Sequence, residues 1–239
     1  MRSEHVYVDA GNTALKAWHA SESGCLTTWR GDDVLALKAW ITEQTSGRAG
    51  ATITLASVRG QSDTQALSAS LEGPVVLRVD TALLPTVYAE PERLGIDRWL
   101  SLLAAREEAQ SAVVVDAGTA ITVDLLQHSS HQGGYILPGL RLQADALQRA
   151  TARVRFPEPD WSSMLPGHDT ASCVGHGIIA TVVALILSLA QEHGASILVD
   201  GGDAGRLLPW LPGALHRPLL IPKGMALAAG HPWHARSST

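Results

Sequence analysis

Two stretches of the 239-residue chain join an acid, a glycine turn and a hydroxyl. The first runs Asp9-Ala10-Gly11-Asn12-Thr13-Ala14-Leu15-Lys16 and the second Asp116-Ala117-Gly118-Thr119-Ala120-Ile121-Thr122-Val123-Asp124. Gly11 and Gly118 lack a Cβ, so the backbone there can take positive φ and let a ligand approach its N–H groups. A concave run of such donors binds an anion. Thr13 and Thr119 add hydroxyls, while Asp9 and Asp116 would repel a phosphate unless a cation lay between them. Each corner therefore reads as a grip for a metal-bound nucleotide phosphate. An isolated Asp-Ala-Gly reads equally well as an ordinary turn; two copies behind matching strands favour the phosphate grip.

A third stretch, Gly95-Ile96-Asp97-Arg98, precedes an apolar helix pattern through Leu100, Leu102, Leu103, Ala104 and Ala105 to about Gln110. Asp97 falls at the helix start, where the dipole favours the carboxylate. A carboxylate held there can accept the proton of an attacking hydroxyl, and Arg98 offers a planar fork of donors to a carboxylate or phosphate. By itself an Asp cap followed by an exposed Arg is a common helix start. Asp200-Gly201-Gly202-Asp203, at the end of a Val-rich strand, is a further candidate nucleotide contact.

Strands and helices must carry these residues. Val6 to Ala10, Ala17 to Ala20 and Leu26 to Trp29 read as a meander turned at Gly24, then a helix Val34–Gln44 capped by Asp32 or Asp33. Strand 51–58, helix 63–71 and strand 75–79 follow. This alternation predicts an α/β fold with a largely parallel sheet wrapped by helices. Gln132 to Leu140 reads as a glycine-proline loop feeding a helix from about Arg141 to Thr151, and Arg153 to Pro166 as irregular chain. His168-Asp169-Thr170 caps a long apolar helix whose Gly175 and Gly177 suit close packing or a ligand. A last strand and short helix are expected over Leu219 to Leu227, then a frayed tail. The repeated corner suggests two lobes, 1–110 and 111–239.

An apolar content of 46% supports a substantial core, and a net charge of -5 without a Lys/Arg run gives nucleic acid or an anionic membrane nothing to bind. Cys25 and Cys173 stand in no metal spacing and fit a reducing compartment. The first residues enter a strand directly, and the apolar run Ile178 to Ala190 is too short to span a bilayer. A cytoplasmic protein with small-molecule partners is expected.

Together these blocks resemble the type III pantothenate kinases, the family that includes the Bvg accessory factors. The resemblance covers essentially the whole chain, through both corners, Gly95 to Arg98, Gly133-Gly134-Tyr135-Ile136-Leu137-Pro138-Gly139 and the Asp200 turn. It implies a duplicated actin-like (ribonuclease H-like) two-lobe fold with mixed sheets flanked by helices. It also implies ATP-dependent phosphorylation of pantothenate to 4'-phosphopantothenate, the first step of coenzyme A synthesis. Asp9, Ala10, Gly11, Asn12, Thr13, Ala14, Leu15 and Lys16 would then form the first ATP loop, with Asp9 near Mg2+, and Gly118 and Thr119 would meet the phosphates. Gly95, Ile96, Asp97, Arg98, Tyr88 and Thr170 would bind pantothenate, with Asp97 as the base and Arg98 on the carboxylate. Asp116 would ligate a monovalent cation, K+ or NH4+. The resemblance further implies a homodimer. One departure stands out: the family carries Thr-Gly-Gly where this chain has Asp200-Gly201-Gly202. The competing reading is a non-catalytic nucleotide-binding accessory protein of the same fold.

Overall fold

The computed structural model describes residues 4–21, 26–45 and 51–233. The expected turn at Gly24, Cys25 and the end of the tail lie outside them. The described chain forms two compact units, one of residues 1–104 with 219–239 and the other of residues 105–218. This differs from the expected division into 1–110 and 111–239, because the last helix packs on the first unit's β1.

In the first unit, β1 (His5–Ala10), β2 (Leu15–Ala20) and β3 (Leu26–Gly31) form the expected meander. Helix α1 (Val34–Gln44) follows, its Asp33 side chain accepting from Leu35 N at 2.8 Å. Then come β4 (Thr52–Ser57), α2 (Gln61–Ser70) and β5, which is shorter than expected at Val75–Val76. The sheet order is β3-β2-β1-β4-β5. β1 pairs antiparallel with β2 and parallel with β4. Val6, Val8, Ala10, Leu15, Leu37, Ile41, Leu55 and Leu67 close one core between this sheet and its helices.

The second unit repeats the plan with β6 (Ser111–Ala117), β7 (Ala120–Gln127), β8 (Ser130–Pro138), β9 (Ser196–Asp200) and β10 (Leu215–His216). Read from β8, its order is β8-β7-β6-β9-β10, antiparallel on one side of β6 and parallel on the other, as around β1. Both sheets are therefore mixed, and the fold is duplicated. β8 replaces the expected glycine-proline loop. Its Gly134 stands opposite Asp124, where a Cβ would lie 2.4 Å from the Val123 carbonyl, so a glycine marks close strand approach here. Helix α4 (Leu140–Ala150) and the irregular stretch after it match expectation, and α5 (Thr170–His193) lays Ile179, Val182, Val183 and Ile186 on Val113, Val115 and Val123.

α5 has 24 residues, longer than the apolar run at its centre, and by length and composition it could cross a membrane. Half of its most apolar stretch is buried inside the protein. Gly175 abuts the carbonyl of Asp160 so closely that a Cβ would clash, whereas nothing stands within 4 Å of where one would be at Gly177.

Helix α3 (Ile96–Arg106) leaves the first unit, and α7 (Leu220–Ala228) returns to it. Of the strand and short helix expected over Leu219 to Leu227, only the helix forms: α7 starts at Leu220, and Pro222 is tolerated in its first turn because early helical N–H groups have no partner within the helix. Gly224 meets the Leu100 backbone of α3, with a Cβ placed 2.1 Å from the Leu100 carbonyl oxygen.

Beyond α7, His231 stacks on His5 of β1 with ring centroids 3.8 Å apart, and the Tyr7 hydroxyl lies 3.4 Å from His231 Nδ1. Burial holds both imidazoles below the ordinary histidine range, and His5 is lowered further by the facing His231. Because folding lowers these values from 6.5, their contribution is in place above pH 6.5 and is lost as pH falls through the lowered values. The melting temperature should therefore drop between about pH 7.5 and about pH 5.5, and His231→Phe, which keeps a ring without a charge, should flatten that dependence. Equal slopes in calorimetry for the two proteins would remove the pair from the acid response.

Candidate active site

The two corners occupy corresponding places in the two sheets. Asp9 is the penultimate residue of β1 and Asp116 of β6. Across the antiparallel neighbour Asp9 faces Lys16, whereas Asp116 faces Thr122. Four residues, Gly11 to Ala14, separate the paired Ala10 and Leu15, but three, Gly118 to Ala120, separate Ala117 and Ile121. The extra residue corresponds to Asn12, so the first loop is wider and has a cation opposite its acid. Asp9 is 4% exposed, while Asn12 and Thr13 at the tip are open to solvent.

Neither Gly11 nor Gly118 adopts the positive φ expected of it. Gly11 makes room instead: a Cβ would sit 3.2 Å from the Ala14 carbonyl oxygen. The loop is tied to the segment after β4, since Val58 N donates to the Ala10 carbonyl at 3.2 Å and Arg59 Nε to the Gly11 carbonyl at 2.9 Å. Sequence reasoning passed over Arg59, which lies outside every motif; the signal available was its position just past a strand parallel to β1.

The glycines that are strictly required surround the second corner. Gly201 has φ 99°, and a Cβ there would lie 2.5 Å from the backbone of Ala117. Gly139, which starts α4, donates its N–H to the Thr119 carbonyl at 2.8 Å and would drive a Cβ to 2.4 Å from the Gly118 oxygen. Asp203 N donates to Ala117 O at 2.9 Å. Two chain segments, Gly139 and the Gly201–Asp203 turn, therefore fasten the Asp116 to Ala120 turn, and Thr119 stands exposed at its tip. Asp200, the residue that departs from the expected threonine, is the register partner of Asp116 on the adjacent parallel strand, and its Oδ1 accepts from Gly201 N at 2.6 Å.

Asp97 and Arg98 occupy the first turn of α3, as expected. Gly95 accepts from Trp99 N at 3.1 Å, and its missing Cβ leaves space for the Asp97 carboxylate, whose Oδ1 would be 2.6 Å away. That oxygen accepts from Arg98 N at 2.8 Å, which turns the carboxylate towards the helix start. Arg98 is only 6% exposed, unlike the exposed Arg of an ordinary helix start. Its Nη1 donates to the Tyr88 hydroxyl at 3.0 Å, and its guanidinium lies 5.8 Å from the Tyr88 ring centre. Ile96 is buried beneath them, and Trp99, fully buried, donates to the Leu84 carbonyl at 3.3 Å and fastens the loop that carries Tyr88. Gly95, Asp97, Arg98 and Tyr88 are therefore brought together.

Thr170 belongs to the second unit, as the exposed first residue of α5. Asp169 and Ser172 form a capping box beside it, with Ser172 N donating to Asp169 Oδ1 at 2.9 Å. That hydrogen bond, with the Ser172 hydroxyl, holds the Asp169 carboxyl below the ordinary carboxylate range. One helical turn on, His176 bonds the Leu165 carbonyl at 2.8 Å and Asp160 Oδ2 at 3.1 Å, which pins the preceding irregular segment against α5.

Against these features the comparisons are specific. The family model described as type III pantothenate kinase matches residues 5–192. The chain belongs to the type III pantothenate kinase family. It is 36% identical over 211 residues to a type III pantothenate kinase of Acinetobacter baumannii, covering 83% of this chain and 85% of that protein. Among solved structures, a Campylobacter jejuni protein described as a conserved Baf family transcriptional activator superposes with a TM-score of 0.63 at 22% identity, over 94% of this chain and 97% of its own. A ROK family glucokinase from Streptomyces griseus, solved with glucose and AMPPNP, gives a TM-score of 0.50 at 13% identity, over 95% and 98%. These two likenesses speak to fold, which is the duplicated actin-like fold of sugar kinases.

The glycine contacts generate a direct test. Gly201→Ala, which combines positive φ with a backbone clash, should cost about 1–3 kcal/mol and weaken nucleotide binding. Gly202→Ala, with nothing within 4 Å of the added methyl, should be close to neutral. Denaturant titration of both variants decides it; equal losses would mean that the clash at Ala117 relaxes freely.

Proposed function

We infer that the protein transfers the γ-phosphoryl group of ATP to the primary hydroxyl of pantothenate, giving 4'-phosphopantothenate and ADP at the entry to coenzyme A synthesis. The observation that carries this reading is the Gly95–Arg98 helix start in a member of the type III pantothenate kinase family, with Arg98 buried and oriented by Tyr88. A buried guanidinium whose fork is held by a tyrosine suits the planar carboxylate of pantothenate. Asp97, half-buried with one oxygen engaged by the Arg98 amide, acts as the base that takes the hydroxyl proton as the oxygen attacks phosphorus. The bond from the γ-phosphorus to the bridging oxygen breaks as the new ester bond forms, and the leaving charge remains on ADP. Thr170 contributes a hydroxyl to pantothenate, and Ile96 shapes the floor.

Phosphoryl transfer asks the protein mainly for positioning and charge stabilisation. Asp9 to Lys16 hold the phosphates of ATP, and Gly118 and Thr119 add a second set of donors. Among the described residues no three His, Cys, Asp or Glu side chains gather into a metal site. The donor set at the first corner, one buried carboxylate beside hydroxyl and amide groups, fits a Mg2+ that takes its other ligands from phosphate and water. That ion supplies charge neutralisation for the transferring group.

Asp116 is assigned to a monovalent cation, K+ or NH4+. Support comes from its register partner: two carboxylates on neighbouring strands favour a cation or a shared proton between them. A homodimer working in the cytoplasm, without nucleic-acid or membrane partners, completes the proposal. The edge strand β8 exposes Tyr135 and Ile136, apolar surface that a second copy would cover. A non-catalytic accessory protein would have no need to bury Arg98 beneath Tyr88 and turn Asp97 beside it.

Asp97→Asn should lower kcat by about a hundredfold or more without changing the melting temperature; turnover near wild type in a pantothenate-dependent ATP consumption assay would remove the base. Asp116→Ala should abolish stimulation by K+ in the same assay, and an unchanged cation response would reassign that carboxylate. If the purified protein shows no pantothenate-dependent turnover with or without K+, the accessory reading replaces the kinase.

A further inference from the structure

We propose that Arg59 is a phosphate-binding residue of the first corner, its guanidinium anchored on the loop carbonyl of Gly11 and its terminal N–H groups turned to the β- and γ-phosphates of ATP. The inference rests on the phosphoryl-transfer reading and adds a residue to it. β4 runs parallel to β1, with Asp9 opposite Ala56 and Ala10 opposite Ser57, so the chain leaving β4 emerges at the end of the sheet that carries the first corner. Arg59 is two residues beyond that end.

Its backbone is fixed there. Arg59 N donates to Ser57 Oγ at 3.2 Å, Ser57 Oγ lies 2.8 Å from Thr64 Oγ1, and that hydroxyl also donates to the Arg59 carbonyl at 3.3 Å. With the main chain held by the first turn of α2, the side chain reaches across and donates Nε to Gly11 O at 2.9 Å. Arginine has five N–H donors, of which this bond uses one. Among the described residues the Nη groups of Arg59 make no hydrogen bond and no ion pair. By contrast, Arg93, Arg141, Arg206 and Arg217 each engage a carboxylate. Arg59 spends its one side-chain bond on the loop that carries Asn12 and Thr13, and it is half-buried.

A polyanion is the ligand such a fork fits. A guanidinium anchored through Nε keeps its Nη edge in a fixed plane, which suits two phosphate oxygens at once. The site also needs the charge, because Asp9 opposes a triphosphate; its register partner across the strands is Lys16. The duplication supplies an internal control. In the second unit the chain leaving β9 runs Gly201-Gly202-Asp203, and it is the acidic Asp203 that donates its N–H to Ala117, with its carboxylate taken by Arg206. At that place in the second unit the tie to the loop is made by an acidic residue rather than a cation.

The test compares Arg59→Gln and Arg59→Lys with Arg78→Gln, an exposed arginine outside the site. Calorimetric binding of Mg-ATP, Mg-ADP and adenosine is measured beside steady-state kinetics. Arg59→Gln should weaken Mg-ATP by about tenfold to a hundredfold, weaken Mg-ADP less and leave adenosine unchanged. Its kcat should fall along with the rise in KM for ATP, because charge builds on the transferring group. Arg59→Lys, which restores charge without the anchored fork, should recover part of the ATP affinity and little of kcat. Mg-ATP affinity within about twofold of wild type in both variants would overturn the proposal. So would equal losses for adenosine and ATP, which would mark a purely structural tie to Gly11. If wild type binds ATP and loses it on R59Q but never phosphorylates pantothenate, the kinase reading fails and Arg59 stands.

Discussion

A central strand flanked by one antiparallel and one parallel neighbour dictates most of what this molecule can do. In each sheet that arrangement brings the end of the middle strand beside the start of a hairpin and the end of a parallel strand. An acid at the penultimate position then stands at the rim of the sheet, beside the turn and the end of the parallel strand. Asp9 and Asp116 inherit their places from this geometry, and the residues that differ around them set their separate tasks. Lys16 and the additional Asn12 make the first turn wider and place a cation opposite its acid. Gly139 and Gly201 close backbone directly onto the second, leaving no room for a methyl group.

The duplication has thus been used asymmetrically. Around Asp9 the supporting contacts include the Arg59 side chain and the Ser57–Thr64 hydroxyl pair as well as the Val58 amide. Around Asp116 they come from main chain packed against main chain. The exchange of threonine for Asp200 falls on the second copy, where it sets a further negative charge on the strand beside Asp116.

Much of this was legible in the sequence because local signals agreed. The alternation of strand and helix, the Asp33 and Asp169 caps and the two Asp-Ala-Gly turns each rest on short-range chemistry, and the helix limits fell within a few residues of expectation. What escaped was set by distant packing. Gln132 to Pro138 carries the glycines and proline of a loop, yet β7 recruits it as an edge strand because Gly134 permits contact with Val123. Leu219 to Ile221 has the composition of a strand, yet burial of Leu220 and Ile221 together with the fit of Gly224 on Leu100 makes it helical. Arg59 has no motif at all, and only the parallel register of β4 on β1 brings it to the loop. The burial of Arg98, which separates a binding residue from an ordinary helix start, is likewise invisible in spacing.

The return of α7 to β1 makes the first unit a composite of both ends of the chain, whereas residues 105–218 form the second without interruption. During synthesis the inserted unit can complete its hydrophobic core as soon as β10 has emerged. The amino-terminal sheet must wait for α7, which follows the whole of the inserted unit, so β1 stays without that covering while residues 105–218 are made. The Asp9 corner is therefore made before the second unit and consolidated after it, so a nascent chain that stops short of α7 carries a finished Asp116 corner but an unfinished Asp9 corner.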